Sequence, residues 1–111
     1  MRDPRKFQRF DDFFEQQMKD NPQRRAEFEA GLMRLRFGVA VCMRREELGY
    51  KQKDMKQFGI PAETMCRIEK GDRLPDPATQ TKLARALNAE IVVGPSGEWK
   101  LKPIVALQEA A

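Results

Sequence analysis

Aromatic residues set the first periodicity of the chain: Phe7, Phe10 and Phe14 fall at i, i+3 and i+7, with Phe13 alongside and Met18 one turn further. That spacing predicts a helix with an aromatic stripe. Asn21-Pro22 ends it and starts the next helix, because Asn caps a helix and Pro suits its first turn. Ala26 to Leu48 reads as this second helix. Its Leu32, Leu35, Val39 and Cys42 keep helical spacing, and Phe37, Val41 and Met43 widen the face that the pattern would bury. A strand over 37–43 satisfies the periodicity alone, but the length of the surrounding pattern favours helix.

Gly49 supplies a C-terminal cap, and Lys51 to Phe58 follows as a short helix with Met55 and Phe58 inward. Gly59 turns the chain. Pro61 opens a further helix carrying Met65 and Ile68 on one face, and Gly71 closes it. Asp76-Pro77 provides the cap and first-turn proline of a last helix, whose apolar stripe is Leu83, Ala84 and Leu87. The period then changes. Ile91-Val92-Val93, the turn 94–97 and Trp99-Lys100-Leu101-Lys102 read as a β-hairpin, and Pro103 keeps its second strand from being a central one. Residues 105–111 are read as a frayed tail. Met18, Met33, Met43, Met55 and Met65 are read as core.

Length and composition narrow this picture. With 111 residues, 41% hydrophobic and 34% charged, the chain fits one soluble, mainly helical domain with modest appendages. Its longest apolar stretch, 37–43, is far short of the ~20 residues of a membrane span. No apolar signal core follows Met1-Arg2-Asp3-Pro4-Arg5-Lys6. The expectation is a cytoplasmic protein with no membrane contact. Histidine is absent, which removes Ser-His-Asp triads, Cys-His pairs and His-bearing zinc sites. Cys42 and Cys66 are too few for a metal site and are expected as reduced thiols. No phosphate-binding glycine loop is present. Neither catalysis nor a cofactor is expected.

Charge is unevenly placed. The net charge is +4, from 21 basic and 17 acidic residues. Residues 1–30 carry 7 of each sign and 76–111 carry 4 of each, so the whole excess lies in 31–75, with 10 basic against 6 acidic. A basic middle between neutral flanks suits a polyanionic partner, although a solvated face gives the same count.

Residues 44–71 carry the motif. A short helix, a glycine turn and a second short helix ending in Arg67-Ile68-Glu69-Lys70-Gly71 is the layout of a helix-turn-helix. The second helix shows Ala62, Glu63, Thr64, Cys66 and Arg67 outward, with no bulky apolar group to keep it from a major groove. Together with Arg45, Gly49, Gln52, Met55, Gly59, Ile60, Pro75 and Leu83 to Leu87, the segment from about 32 to 88 resembles the lambda-repressor-like (Xre-type) helix-turn-helix family. The resemblance implies that Gln52 meets a phosphate at the start of the first motif helix. Lys51, Lys70 and Arg73 would neutralise backbone charge around it. It also implies that Ala62, Glu63 and Arg67 face bases and Thr64 a phosphate. Arg67 would bind guanine O6 and N7, and Glu63 would accept from cytosine N4 or serve only as a first-turn acid. Arg45 and Glu69 match an inward salt bridge of the family. The chain departs from the pattern in three places. Gln52 to Gly59 is one residue short, so the first motif helix or the turn must be trimmed. Lys56 stands where a small packing residue is common, and Pro61 replaces a Ser or Thr cap.

The flanks add a biological expectation. An aromatic, acid-rich N-terminal segment, then the motif, then a β-segment is similar to the HigA-type antitoxins. That resemblance implies a dimeric repressor of its own operon, bound to a palindromic double-stranded DNA operator and to a small ribonuclease toxin. Phe7, Phe10, Phe13 and Phe14 are the candidate toxin contacts, or they cover a core. Ile91, Val93, Trp99 and Leu101 are the candidate dimerisation residues, or they pack the hairpin. The expected layout is a helical extension (1–30), the helix-turn-helix (31–88), the hairpin (89–104) and the tail. Two alternatives stand beside it: a prophage or plasmid regulator with no toxin, and an interaction adaptor in which the motif has lost DNA.

Overall fold

The computed structural model describes residues 12, 13, 15, 16, 19 and 21–104. The chain is mainly helical with a small two-stranded antiparallel sheet. It divides into two compact units, Met1–Ala30 and Gly31–Ala111.

In the first unit the described residues 12, 13, 15, 16 and 19 are helical and exposed. The Asn21 side chain accepts the Arg24 N–H (3.1 Å) and Pro22 takes the first helical position, so α1 (Pro22–Glu47) begins four residues before the apolar pattern alone indicates.

The second unit holds the core, made of Phe37 and Val41 from α1, Met55, Ile60, Met65, Ile68, Leu83, Ala86, Leu87 and Ala89. After α1 come a 3-10 segment (Gln52–Phe58), α2 (Ala62–Glu69), α3 (Pro77–Leu87), β1 (Ala89–Val93) and β2 (Trp99–Pro103). At Gly49 (φ 83°) the chain leaves α1 through two hydrogen bonds, Gly49 N–H to Glu46 O and Tyr50 N–H to Arg45 O. A left-handed residue closed by such a pair needs glycine at little cost. Asp76 caps α3 by accepting the Thr79 N–H (2.8 Å), with Pro77 behind it. The hairpin pairs Ala89 with Pro103 through to Val93 with Trp99, and Trp99 meets Phe37 edge to face at 5.4 Å. Among the described residues no helix is long and apolar enough to cross a membrane.

One sequence expectation is corrected here. The buried face of α1 is Phe37, Gly38, Val41 and Arg45, whereas Leu35, Val39 and Met43 are 44%, 46% and 66% exposed. The cause is Gly38. Its missing side chain lets the α1 backbone lie against the carbonyls of Ile68 and Glu69, which fixes that side of the helix inward. Val39, one residue on, is then rotated about 100° from Gly38, and Met43, five on, about 140°. Among the methionines read as core, Met55 and Met65 are fully buried and Met43 is not.

In the hairpin the side chains take the packing alternative. Ile91, Trp99 and Leu101 pack against the core, so three of the four expected dimerisation residues are on the inward side. Val93, on the same side by alternation, overhangs at 52% exposure. The outward side carries Glu90, Lys100 and Lys102, all exposed, with Val92 half-buried between them. An apolar dimer patch is therefore not what that side of the sheet offers.

Candidate nucleic-acid interface

The site is built on two short helical segments and the glycine turn that joins them. The 3-10 segment starts at Lys51, whose N–H donates to Asp54 Oδ2 at 2.7 Å, and ends at Gly59 (φ 84°). Gly59 N–H donates to Lys56 O and Ile60 N–H to Met55 O, which reverses the chain in two residues. The expected short helix is thus present, but wound more tightly than an α-helix. Met55 is fully buried, and Phe58 packs on Tyr50 with ring centres 5.5 Å apart.

Pro61, extended at φ −60° and ψ 147°, leads into α2 without a side-chain cap. Met65 and Ile68 have no exposed surface. Ala62, Glu63 and Arg67 are exposed, and Thr64 and Cys66 are half-buried. One face is anchored and the opposite face is free. Lys70 follows as an exposed C-terminal cap, and Gly71 (φ 79°) ends the helix with Asp72 N–H donating to Arg67 O (2.9 Å). Arg34 Nε donates to Gly71 O (3.1 Å), and a Cβ on Gly71 would stand 2.8 Å from Leu35 Cα. Together with Gly38, these contacts seat the last turn of α2 directly on the α1 backbone.

A buried charge cluster locks the two motif segments together. Arg45 meets Glu69 through both carboxylate oxygens, Nε to Oε2 at 2.7 Å and Nη2 to Oε1 at 3.0 Å, and its Nη1 donates to Tyr50 O at 2.7 Å. The expected Arg45–Glu69 bridge is therefore present. Gln52 Nε2 also donates to Glu69 Oε1 (3.0 Å), so one of its two amide protons holds the frame. Burial pushes Glu69 towards its protonated form. The hydrogen bonds from Arg45 and Gln52 outweigh that, and the carboxyl is held below the ordinary glutamate range. Beside it, a hydrogen bond to Glu46, reinforced by burial, pushes the Cys42 thiol up to about 11. Cys42 and Cys66 are both free thiols.

Around this cluster stand several exposed cations. Lys51, Lys53, Lys56, Lys70 and Arg73 stand on the surface and take part in no ion pair among the described residues. Arg73 and Lys82 both act on Asp76, whose carboxyl is lowered first by the Thr79 hydrogen bonds and then by these two charges. Lys82 lies across the Gly59 turn, with Nζ 3.5 Å from Gly59 O. It is a surface cation beside the site that sequence reasoning did not single out, because only the packing of α3 brings it there. Glu63 and Arg67, expected to read separate bases, are joined: Arg67 Nη2 donates to Glu63 Oε1 at 2.7 Å.

Among the candidate partner-binding aromatics, Phe13 is 62% exposed, and Phe7, Phe10 and Phe14 lie outside the described residues. No protein-family model, curated protein or solved structure matches this chain.

Proposed function

We propose that this chain is a sequence-specific DNA-binding repressor of the lambda-repressor-like helix-turn-helix type, acting as a homodimer on a palindromic operator. The observation that carries the reading is the division of α2. Met65 and Ile68 are sealed inward, while Ala62, Glu63 and Arg67 stand outward with no large apolar side chain among them. A protein-binding helix would present apolar anchors there. Eight residues of α-helix span about 12 Å, close to the width of a B-form major groove. The surrounding lysines and Arg73 supply the charge that phosphates attract.

The one-residue deficit before Gly59 is compatible with this assignment. Seven residues of 3-10 helix turn through about 840°, against about 800° for eight residues of α-helix. Tighter winding restores the phase that the missing residue would have supplied. Gln52 still reaches Glu69, and Met55 still enters the core.

The antitoxin reading extends this proposal. The exposed Phe13 offers an aromatic contact for a small toxin partner, and the DNA-binding face would serve repression of the chain's own operon. A prophage or plasmid regulator would share the DNA chemistry and lack that partner.

The test is a fluorescence-anisotropy titration against duplexes selected from a random library and against an unrelated duplex, between 50 and 200 mM salt. The expected result is a preference for the selected duplex of roughly a thousandfold or more, with affinity falling steeply as salt rises. Equal, salt-insensitive affinities for both duplexes would overturn the proposal and favour an adaptor.

A further inference from the structure

We infer that Glu63 is a positioning residue for Arg67, and that the two side chains read one guanine between them instead of two separate bases. This rests on the DNA-binding reading above. Arg67 Nη2 donates to Glu63 Oε1 at 2.7 Å across one helical turn, with the side chains 53% and 76% exposed on the outward face of α2.

An exposed i,i+4 pair adds little to folding stability, so stability is a weak reason for its presence on this face. What it does is restrict Arg67. A guanidinium carries five N–H donors in a planar fork. With one Nη2 proton on Glu63, a complete two-donor edge remains, formed either by Nε and Nη2 or by Nη1 and Nη2. Either edge matches the O6 and N7 acceptors of guanine in the major groove. A free arginine loses considerable side-chain freedom when it docks, and an arginine already held by Glu63 has lost part of it beforehand. The groove also changes the pair itself. As water leaves, the attraction between carboxylate and guanidinium strengthens. Pairing further offsets the repulsion that a lone carboxylate would meet among phosphates. Glu63 oriented in this way has an oxygen committed to Arg67, which argues against its reading cytosine independently.

The experiment selects duplexes from a randomised library with the wild-type chain, Glu63→Gln and Arg67→Ala. Dissociation constants are then measured on duplexes carrying guanine or adenine at each selected position, at two salt concentrations. Both substitutions are at exposed positions, and circular-dichroism melts establish that the variants fold. The expected wild-type result is a G·C pair at one position of each half-site. Arg67→Ala removes that preference. Glu63→Gln weakens the guanine-over-adenine ratio roughly tenfold at the same position, leaving the other positions and the salt slope as they are.

A merely structural Glu63 would lower affinity at every position alike, and a directly reading Glu63 would lose preference at a different position. Either outcome, or an unchanged ratio, overturns this inference. If the wild-type chain selects no sequence at all, the underlying DNA-binding reading fails with it. If it selects an operator while Glu63→Gln reads that operator unchanged, only the coupling of the two residues is refuted.

Discussion

Replacing Gly38 by alanine tests how α2 is held, because the expected sign opposes the ordinary rule. Inside a helix, glycine is about 1 kcal/mol less favourable than alanine, so Gly→Ala normally stabilises. At Gly38 the new Cβ would collide with the Ile68 carbonyl oxygen, and it would stand 2.7 Å from Glu69 O and 2.9 Å from Glu69 C. All three are backbone atoms, so no side chain can swing aside. Overpacking of a well-packed site costs about 1–3 kcal/mol, and contacts this close to backbone belong at the upper end. Subtracting the ~1 kcal/mol gained in propensity leaves a net loss of about 2 kcal/mol, or roughly 8–16 °C in Tm for a domain of this size. Gly31→Ala is the matched control. Its Cβ meets nothing closer than the Arg34 guanidinium at 3.6 Å, so the propensity term stands alone and stability rises by up to ~1 kcal/mol. Urea unfolding followed by circular dichroism measures both variants. If Gly38→Ala stabilised the protein as much as Gly31→Ala, the close seating of α2 on α1 would be refuted.

Three further outcomes follow from the same geometry. Val41→Ala, at a fully buried position, costs about 2 kcal/mol in urea unfolding, whereas Val39→Ala, 46% exposed, stays within about 0.5 kcal/mol; equal costs would contradict the observed face of α1. Glu69→Gln lowers stability at neutral pH by roughly 3 kcal/mol, since it leaves the Arg45 guanidinium buried without its counter-charge. The Glu69 carboxyl is held below its ordinary value of 4.5, so the charged form favours folding; wild-type stability is retained above that pH and lost as pH falls below it, and the two proteins converge in acid. A gap that persisted at low pH would exclude the charge as its source. Cys42, with its thiol pushed from 9.0 to about 11, holds about a hundredfold less thiolate at pH 8 than an ordinary cysteine. Iodoacetamide should alkylate it correspondingly slowly in the folded protein and at the ordinary rate in urea, by site-resolved mass spectrometry; equal rates would contradict that environment.

Much of the local order was legible because punctuation residues act through the backbone alone. Gly49, Gly59 and Gly71 each end a segment at positive φ, and Asn21 and Asp76 cap the helices that follow them. The inward pair Met65 and Ile68 was legible too, since a short helix with few apolar residues has only one face to bury. α1 differs. It carries apolar side chains on two sides, and counting them selected the stripe at Leu32, Leu35, Val39 and Cys42, of which Leu35 and Val39 are exposed. The signal for the true face was a glycine inside an apolar run at Gly38, which marks a close backbone approach. The inward orientation of Arg45 points the same way, through its pairing with Glu69. At the site, the Glu63–Arg67 pairing was readable from i,i+4 spacing. Lys82 beside Gly59 was not, because only tertiary packing brings α3 there. The hairpin was placed correctly, but strand alternation alone does not say which side meets the core.

The central claim is that the outward side of α2, flanked by its lysines, is the surface that meets duplex DNA. Amide chemical shifts of the 15N-labelled protein, followed while a selected duplex is added, test this residue by residue. The account predicts the largest changes at 51–53, 62–67, 70 and 73, with the outward side of the hairpin at 90, 100 and 102 little affected. Changes concentrated on the hairpin or along Leu35, Val39 and Met43, with 62–67 silent, would contradict it.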